Sequence, residues 1–351
     1  MKIALLSYQM LFQRKGGLQI HVLETLKSLN KIGIKADLFD PATQKLSDYD
    51  LIHVFSSING NNRIVEAAKE QNVPVVITPI IQTSDWTRWF SVKAAIIDKI
   101  VGKMSDWNLH TNYHEIKSAI TKADHVFAGS LKEKRVIENT FEVKRNNISI
   151  VPIGVSDLFF SAEPSIFRKT HNYQNKFVLC AANISPYKNQ LSIIKALKNS
   201  DLDVVLLGGI EEKHKKYLDE CLGEGGARVH YFGNYEHDNP ILTSAYAAAE
   251  VSILISQGEN GPTVTYESLA SGTPAVVTKY NGLDLEKNNQ AWMEVDPSDL
   301  GEICTAVESL RKDLGAEIKL NKIVKEYAWS NVALQINEVY GRLVRDAVYE
   351  R

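Results

Sequence analysis

The 351-residue chain has little net charge and few cysteines. Its formal net charge is −2, so no overall positive field would draw nucleic acid or an acidic membrane to the whole surface. The three cysteines, Cys180, Cys221 and Cys304, are scattered and show no metal-ligand spacing. This pattern argues against a disulfide framework and favours buried, reduced thiols in a cytoplasmic protein.

The chain also lacks a long apolar run. The apolar segment 73–81 is far below the roughly 20 residues of a membrane-spanning helix. The first ten residues, MKIALLSYQM, are too short and too polar for a signal peptide and are typical of a first strand. We therefore expect a soluble protein, and the length predicts two domains rather than one.

Short apolar segments alternate with amphipathic ones along the chain. Strands are predicted at 2–7, 35–39, 51–55, 73–78, 123–129 and 149–152, and then at 176–182, 204–209, 228–232, 251–256 and 275–278. Helical patterns lie between many of them, for example at 62–71, 130–139 and 191–197. This alternation is typical of an α/β protein with parallel sheets covered by helices on both faces.

The stretch 251–279 contains the most informative pattern. A β-branched strand ends in a loop, and Pro262 then suits the first position of a short helix that Gly272 ends. The amino end of such a helix directs free N–H groups at the crevice above the sheet and favours a phosphate there.

Two carboxylates flank this helix start. Glu259 lies in the loop, and Glu267 lies five residues past Pro262, roughly 7.5 Å down the helix at about 1.5 Å per residue. Carboxylates repel a phosphate, but each can accept two hydrogen bonds from a vicinal diol. A sugar, a diphosphate and a ribose in a row would satisfy the arrangement, and such a ligand is a nucleotide sugar.

Glu259 and Glu267 form an E-x7-E pair within GENGPTVTYESLASGTPAV, which resembles the signature of the retaining GT-B glycosyltransferases of family GT4, the glycosyl transferases group 1. The spacing occurs together with an E-N-x-P loop and an S-G-T-P helix end. The alternative is an ordinary Rossmann-type helix that carries two solvated glutamates. The resemblance covers nearly the whole chain and is strongest from about Val151 onward.

The resemblance implies a GT-B fold, with two Rossmann-like doubly wound domains that face a central cleft. Residues 1–152 would form the acceptor-side domain, with a C-terminal helix at about 333–351 packing back on it. Residues 153–332 would form the nucleotide-sugar domain. The resemblance implies no cofactor and no metal for donor binding, and the DLD at 201–203 is dismissed as a metal motif because it begins a strand.

The resemblance also implies individual donor contacts. Lys188 matches the lysine of an R-x-x-x-x-K diphosphate clamp, whose arginine is Asn183 here, so we expect weaker neutralisation of the phosphates. Tyr235 ends a Gly-Asn-Tyr segment at the place that cradles the nucleotide base. The loop and helix start are expected to contact the donor through Asn260, Gly261, Pro262, Thr263 and Val264. Glu259 and Lys188 are the predicted catalytic residues, and Glu267 is expected to hold the ribose.

The first loop resembles the family's G-G-x-x-x-H pattern. Gly16 and Gly17 are expected to approach the donor phosphates or the acceptor, whereas His21 is interpreted as packed rather than catalytic. Many relatives carry a histidine after the fourth strand, but this chain has Ile80; Gln82, Thr83 or Asp85 could take over part of that role.

Two functions remain open from these residues. The first is sugar transfer from a UDP- or GDP-sugar to a glycan, lipid-linked or protein acceptor in cell-surface polysaccharide synthesis. The second is a catalytically weak homologue that binds nucleotide sugars as a partner subunit of another transferase.

Segment 86–107 also allows two interpretations. It runs from Trp86 to Trp107 with Phe90, Ala94, Ile97, Val101 and Met104 at helical spacing and with Arg88, Lys93, Lys99 and Lys103 as cations. It is either a helix that covers the N-terminal sheet or an interfacial helix that docks on a bilayer. The second alternative would place a cytoplasmic protein at the inner face of the membrane.

Overall fold

The computed structural model describes residues 1–13, 16–81, 88–102, 111–141, 143, 145–259, 261, 263–285, 291–313 and 319–349. The chain divides into two units. The first consists of Met1–Gly154 and Trp329–Arg351, and the second of Val155–Ala328. The sequence interpretation placed these divisions after residues 152 and 332. The second one lies earlier because the Trp329 indole packs in the core of the first unit.

Parallel strands form the sheet of the first unit, in the order β2-β1-β3-β4-β5-β6. Their bounds are β1 Lys2–Leu6, β2 Lys35–Leu38, β3 Leu51–Phe55, β4 Val75–Thr78, β5 His125–Ala128 and β6 Ile148–Ile150. The helices of this unit are α1 Gly17–Lys31, α2 Asn61–Glu70, α3 Arg88–Gly102, α4 Asn112–Lys122, α5 Leu131–Phe141 and, at the end of the chain, a helix at Trp329–Tyr349.

The central strands of this sheet consist mainly of apolar residues because both faces are covered. Successive side chains of a strand point to opposite faces, and in β1 Ala4 and Leu6 join one core cluster while Ile3 and Leu5 join the other. Such continuous apolar strands are characteristic of parallel sheets between two helical layers.

The C-terminal helix at Trp329–Tyr349 covers one face of this sheet. Trp329 and Tyr340 are buried in the same cluster as Ile3 and Leu5. Polar groups also attach the helix to the strands, because the Tyr340 hydroxyl lies 2.5 Å from Nδ1 of His53 in β3. The last residues of the chain therefore complete the core of its first unit.

The second unit has a parallel sheet in the order β12-β11-β10-β7-β8-β9. Its strands are β7 Phe177–Ala181, β8 Asp203–Leu207, β9 Val229–Tyr231, β10 Val251–Leu254, β11 Ala275–Thr278 and β12 Trp292–Val295. Its helices are α6 Ser165–Thr170, α7 Gln190–Ala196, α8 Lys215–Gly225, α9 Pro240–Ala248, α10 Thr263–Ala270, α11 Leu300–Asp313 and α12 Leu320–Ile323, so the C-terminal helix is α13.

The strand order of the second unit is that of the doubly wound Rossmann fold. The chain builds outward from β7 in one direction through β8 and β9, and then in the other through β10, β11 and β12. Again the two faces are separate clusters, with Phe177 and Leu179 on one and Val178 and Cys180 on the other. The predicted fold class, an α/β protein with two Rossmann-like units, is confirmed.

Candidate active site

The neighbouring strands β7 and β10 mark the point where the strand order of the second unit reverses. In doubly wound sheets the crevice outside the carboxyl ends of two such strands is where ligands bind. Lys188 lies in the connection after β7, and Glu259 lies in the loop after β10. The topology thus brings together two residues that are 71 positions apart in sequence.

Backbone and side-chain hydrogen bonds hold these two loops against each other. The Gln257 N–H donates to the Tyr187 carbonyl at 3.0 Å, and the Tyr187 hydroxyl donates to the Gly258 carbonyl at 2.8 Å. The Glu259 N–H donates to the carbonyl of Tyr280, which follows β11, at 2.8 Å. The position of Glu259 is therefore fixed from two sides before any ligand contact is considered.

Lys188 and Glu259 form an ion pair. The Lys188 Nζ donates to Glu259 Oε1 at 2.5 Å, and the Ser256 hydroxyl donates to the same oxygen at 2.5 Å. The side chains of Lys188 and Glu259 are 24% and 15% exposed, so the pair is partly buried. In the described part of the chain, the second carboxylate oxygen of Glu259, Oε2, has no hydrogen-bond or ion-pair partner. The site therefore combines one cation with a carboxylate that can still accept hydrogen bonds.

Helix α10 follows the Glu259 loop and carries the second predicted carboxylate. Glu267 is buried, its Oε2 accepts a hydrogen bond from the Tyr246 hydroxyl at 3.0 Å, and its Oε1 lies 3.6 Å from Nδ1 of His237. Burial raises the pKa of Glu267, whereas His237 and the Tyr246 hydrogen bond act in the opposite direction. Oε1 has no hydrogen bond within 3.5 Å in the described part of the chain, so this carboxylate retains acceptor capacity.

The predicted helix start is described in part. Thr263 is the first residue of α10, and Thr263 and Val264 are half-buried, as is Gly261 in the loop. Asn260 and Pro262 lie outside the described residues, so their predicted roles stay predictions.

The glycines after β8 and β9 bring the strand ends close together. Gly208 has a φ of +152°, and a side chain there would overlap the Ala182 carbonyl. The Gly208 N–H donates to the Gly233 carbonyl at 2.9 Å. Asn183, the residue in the arginine position of the clamp, is exposed at this edge. The structure thus places the neutral amide of Asn183 beside these strand ends.

Tyr235 belongs to a layer of aromatic side chains. Its hydroxyl lies 2.8 Å from Nε2 of His171, and its ring packs against the core of the second unit. The side chain is therefore already engaged, which leaves the backbone of this segment for the predicted contact with a base.

The second unit matches the sequence model of a known protein family. Residues 162–328 match the model of the family "Glycosyl transferases group 1". The second unit is a glycosyl transferases group 1 domain. The matched residues lie within Val155–Ala328 and include Lys188, Glu259 and Glu267. The enzyme class predicted from the sequence, a glycosyltransferase, is thereby confirmed.

Two relatives that match nearly the whole chain have low sequence identity to it. The chain is 24% identical to an uncharacterized glycosyltransferase of Methanocaldococcus jannaschii, over 97% of this chain and 98% of the relative. It is 20% identical to a D-inositol 3-phosphate glycosyltransferase of Corynebacterium urealyticum, over 93% of this chain and 91% of the relative.

Solved structures share the fold at low identity. HepE of Anabaena, crystallised with UDP, has a TM-score of 0.73 at 16% identity and covers 97% of this chain and 100% of its own. Sucrose-phosphate synthase of Thermosynechococcus elongatus has a TM-score of 0.76 at 18% identity, with 98% and 99% covered. These likenesses extend the shared fold beyond the group 1 domain to both units.

The first unit contains the predicted glycine loop. Gly16 precedes α1, and a side chain on Gly16 or Gly17 would meet no described atom within 4 Å. The two glycines are therefore not required by packing against the described residues, and their predicted contact with the donor or acceptor stays a prediction. Nearby His21 is buried with its ring against Phe55 and Trp329, as expected for a packed residue.

Ile80, in place of the family's histidine, has a left-handed backbone with a φ of +55°. This conformation is unfavourable for a β-branched residue and occurs where the surrounding structure enforces it. The adjacent Ile81 N–H donates to the buried Glu133 carboxylate at 2.6 Å, which holds the turn in place. Gln82, Thr83 and Asp85 lie outside the described residues.

The DLD segment has structural partners. The Asp201 carboxylate faces the Arg311 guanidinium, with contacts of 2.5 and 2.8 Å, and Asp203 accepts hydrogen bonds from Tyr173 and Asn175. Within the described ranges no group of three or more histidine, cysteine or acidic side chains is arranged for a metal.

Sequence reasoning missed several residues of the group 1 domain. Ser256 and Tyr187 fix Glu259, and Tyr246 and His237 surround Glu267. Ser256 could have been suspected, because it is the last residue of the predicted strand before the loop. The other three come from distant segments, and no local pattern connects them with the glutamates.

Proposed function

We propose that this chain transfers a sugar, with retention of the anomeric configuration, from a UDP- or GDP-sugar to an acceptor hydroxyl. In that reaction the bond between the anomeric carbon and the diphosphate oxygen breaks, a bond to the acceptor oxygen forms on the same face, and the acceptor hydroxyl gives its proton to the leaving diphosphate. The observation that carries the proposal is the Lys188–Glu259 pair beside α10, at the strand-order reversal of a group 1 domain.

The charges of this site suit the two halves of a nucleotide sugar. Negative charge builds on the leaving diphosphate, and the Lys188 ammonium together with the N–H groups of Thr263 and Val264 would stabilise it. Glu259 would accept hydrogen bonds from the sugar hydroxyls and favour positive charge at the anomeric carbon. The HepE structures with UDP and with UDP-glucose support a nucleotide of this class on the same fold.

Glu267 would hold the ribose hydroxyls. Tyr246 occupies one position on Oε2 and orients the carboxylate, so Oε1 can face a diol. Donor binding on this proposal needs neither a metal nor a cofactor.

The proposed acceptor is a hydroxyl group of a glycan, of a lipid-linked saccharide or of a protein, and the proposed reaction belongs to cell-surface polysaccharide synthesis. Helix α3 of the first unit supports a membrane-associated acceptor. Val92, Ile96 and Ile100, spaced four residues apart, and the adjacent Ile97 are 52–57% exposed. The sequence interpretation had placed Ile97 with Ala94 on one apolar face. In the structure Ala94 and Ala95 pack against the core, and Ile97 lies outside that contact.

Cations accompany this apolar surface. Lys93 and Lys99 are exposed on the same helix, while Asp98 is directed to Thr111 at 2.5 Å. Aliphatic side chains flanked by lysines match an anionic bilayer surface, where each Lys contributes about 1 kcal/mol and each half-buried aliphatic side chain a similar amount. We therefore propose a cytoplasmic protein that docks peripherally on the inner face of the membrane. No helix in the described ranges combines the length and the apolar character that a transmembrane span requires.

Vesicle flotation tests this docking. The protein should float with anionic vesicles at low salt, and Ile96→Glu with Ile100→Glu should abolish it. The matched control is Leu334→Glu, which charges a side chain with 56% exposure on α13. The absence of wild-type binding, or equal loss in the control, would contradict the proposal.

Nucleotide-sugar turnover tests the reaction itself. Purified protein is incubated with UDP- and GDP-sugars with and without acceptor extracts, and release of UDP or GDP is measured. NMR of the product should show the anomeric configuration of the donor. Thermal stabilisation by a donor without any release would instead support the binding subunit, which Asn183 in the arginine position favours. No binding of any nucleotide would refute both.

A further inference from the structure

The ion pair between Lys188 and Glu259 joins the two side chains that the proposed function assigns to different parts of the donor. Lys188 is assigned to the diphosphate and Glu259 to the sugar, yet their charged atoms are 2.5 Å apart. A phosphate that binds the ammonium therefore competes with the carboxylate for its three N–H donors. What then happens to Glu259 depends on whether the ligand carries a sugar.

We propose that this ion pair makes the site select the complete nucleotide sugar over the bare nucleoside diphosphate. The inference rests on the proposed function of the site and goes beyond it.

A bare diphosphate would leave Glu259 without its cation. The carboxylate is only 15% exposed, and the Ser256 hydroxyl is its remaining partner. A partly buried carboxylate that loses its counter-ion becomes unfavourable, and its charge also repels the incoming phosphate. Binding of a bare nucleoside diphosphate should therefore cost free energy, because it takes the counter-ion from Glu259.

A nucleotide sugar compensates for the same loss of the counter-ion. Its hydroxyls can donate to both oxygens of Glu259 in place of the ammonium, including Oε2. The fixed loop suits this exchange, because Tyr187 and Tyr280 both hydrogen-bond to the peptide group between Gly258 and Glu259. After transfer the sugar leaves, the ion pair can form again, and the product diphosphate loses Lys188. The Lys188–Glu259 ion pair would thus both favour binding of the donor and promote release of the product diphosphate.

Affinity measurements on a charge-neutral variant test this inference. Glu259→Gln keeps the side-chain shape and removes the charge. It should bind UDP or GDP on the order of tenfold more tightly than wild type, as expected for the release of a partly exposed ion pair. The same variant should lose the additional affinity that the sugar provides. Inorganic pyrophosphate, which has neither base nor sugar, should show the same gain as the nucleoside diphosphate.

Two further variants separate the ion pair from simpler explanations. Glu224→Gln makes the same chemical change in the Lys198–Glu224 ion pair elsewhere in the second unit, so its preference between diphosphate and nucleotide sugar should stay within about twofold of wild type. In a Lys188→Gln background the Glu259→Gln change should give a clearly smaller gain, because only the repulsion between Glu259 and the phosphate remains there. A gain as large as in the wild-type background would show that repulsion alone explains the effect and would overturn the inference.

The failure of the inference is distinguishable from failure of the proposed function. If wild type binds nucleotide sugars but Glu259→Gln binds diphosphate no better, the proposed function stands and the selection mechanism is wrong. If neither protein binds nucleotides or pyrophosphate, both are wrong.

Discussion

Mild acid should destabilise the first unit through His21. This residue lies in α1, its ring is buried against Phe55 and Trp329, and its Nδ1 has no hydrogen-bond partner in the described part of the chain. Burial lowers the pKa of His21 from 6.5 to about 4. The folded protein therefore keeps this imidazole neutral over a pH range in which the unfolded chain binds a proton.

The sign and size of the effect follow from that difference. Stability from the neutral imidazole is fully present above pH 6.5 and is lost as the pH falls from 6.5 to about 4. Each pKa unit corresponds to about 1.4 kcal/mol, so the loss reaches about 2 kcal/mol at pH 5 and about 3 kcal/mol near pH 4. Burial also holds the pKa of the neighbouring His53 well below its usual value, which makes the total loss in wild type larger.

Urea unfolding of wild type and His21→Leu at pH 7 and pH 5 measures this effect. The substitution is close in volume and does not titrate, so the variant should lose about 2 kcal/mol less than wild type between the two pH values. Tryptophan fluorescence in a Trp292→Phe background would report on the first unit, because the other four tryptophans belong to its residue ranges. Equal pH dependence in the two proteins would refute the reasoning, whatever their absolute stabilities.

Three further changes test the core and the site. Tyr340→Phe leaves a nitrogen of His53 without its partner and should lower the free energy of unfolding by about 1–3 kcal/mol; an unchanged urea midpoint would contradict this. Gly154→Ala places a methyl group in the ring of Trp329 and should cost about 1–3 kcal/mol, seen as a lower melting temperature. Glu267→Ala should weaken the binding of UDP or GDP as well as of the nucleotide sugar, by roughly 10- to 100-fold in calorimetry. Full retention of nucleotide affinity would contradict the assigned contact between Glu267 and the ribose.

Most strands could be predicted from the sequence, because a parallel strand that is covered on both faces consists mainly of apolar residues. Predicted strands such as 251–256 differ from the observed Val251–Leu254 by a residue or two at their ends. The edge strand Trp292–Val295 was not predicted, since its WMEV pattern is short and half-exposed at Met293 and Glu294. The other edge strands β2, β6 and β9 are also partly exposed but were predicted, so the edge position alone does not explain why Trp292–Val295 was missed.

The candidate site was predictable residue by residue but not as an arrangement. Lys188 and Glu259 were each located after a strand, but only the sheet order makes those strands neighbours. The partners of Glu267 arrive from the loop after β9 and from α9, and no spacing in the sequence indicates that. On α3 both helix sides contain apolar residues, so periodicity alone could not decide which side packs.

The C-terminal helix has a consequence for the order in which the chain folds during synthesis. Residues 155–328 are all available before α13 emerges from the ribosome, so the second unit can close its core first. The first unit is translated earlier, yet Trp329, Val332, Ile336 and Tyr340 belong to one of its two cores. A protein that ends at residue 328 should therefore contain a complete second unit, whereas one face of its N-terminal sheet would be covered by α1 but would lack α13.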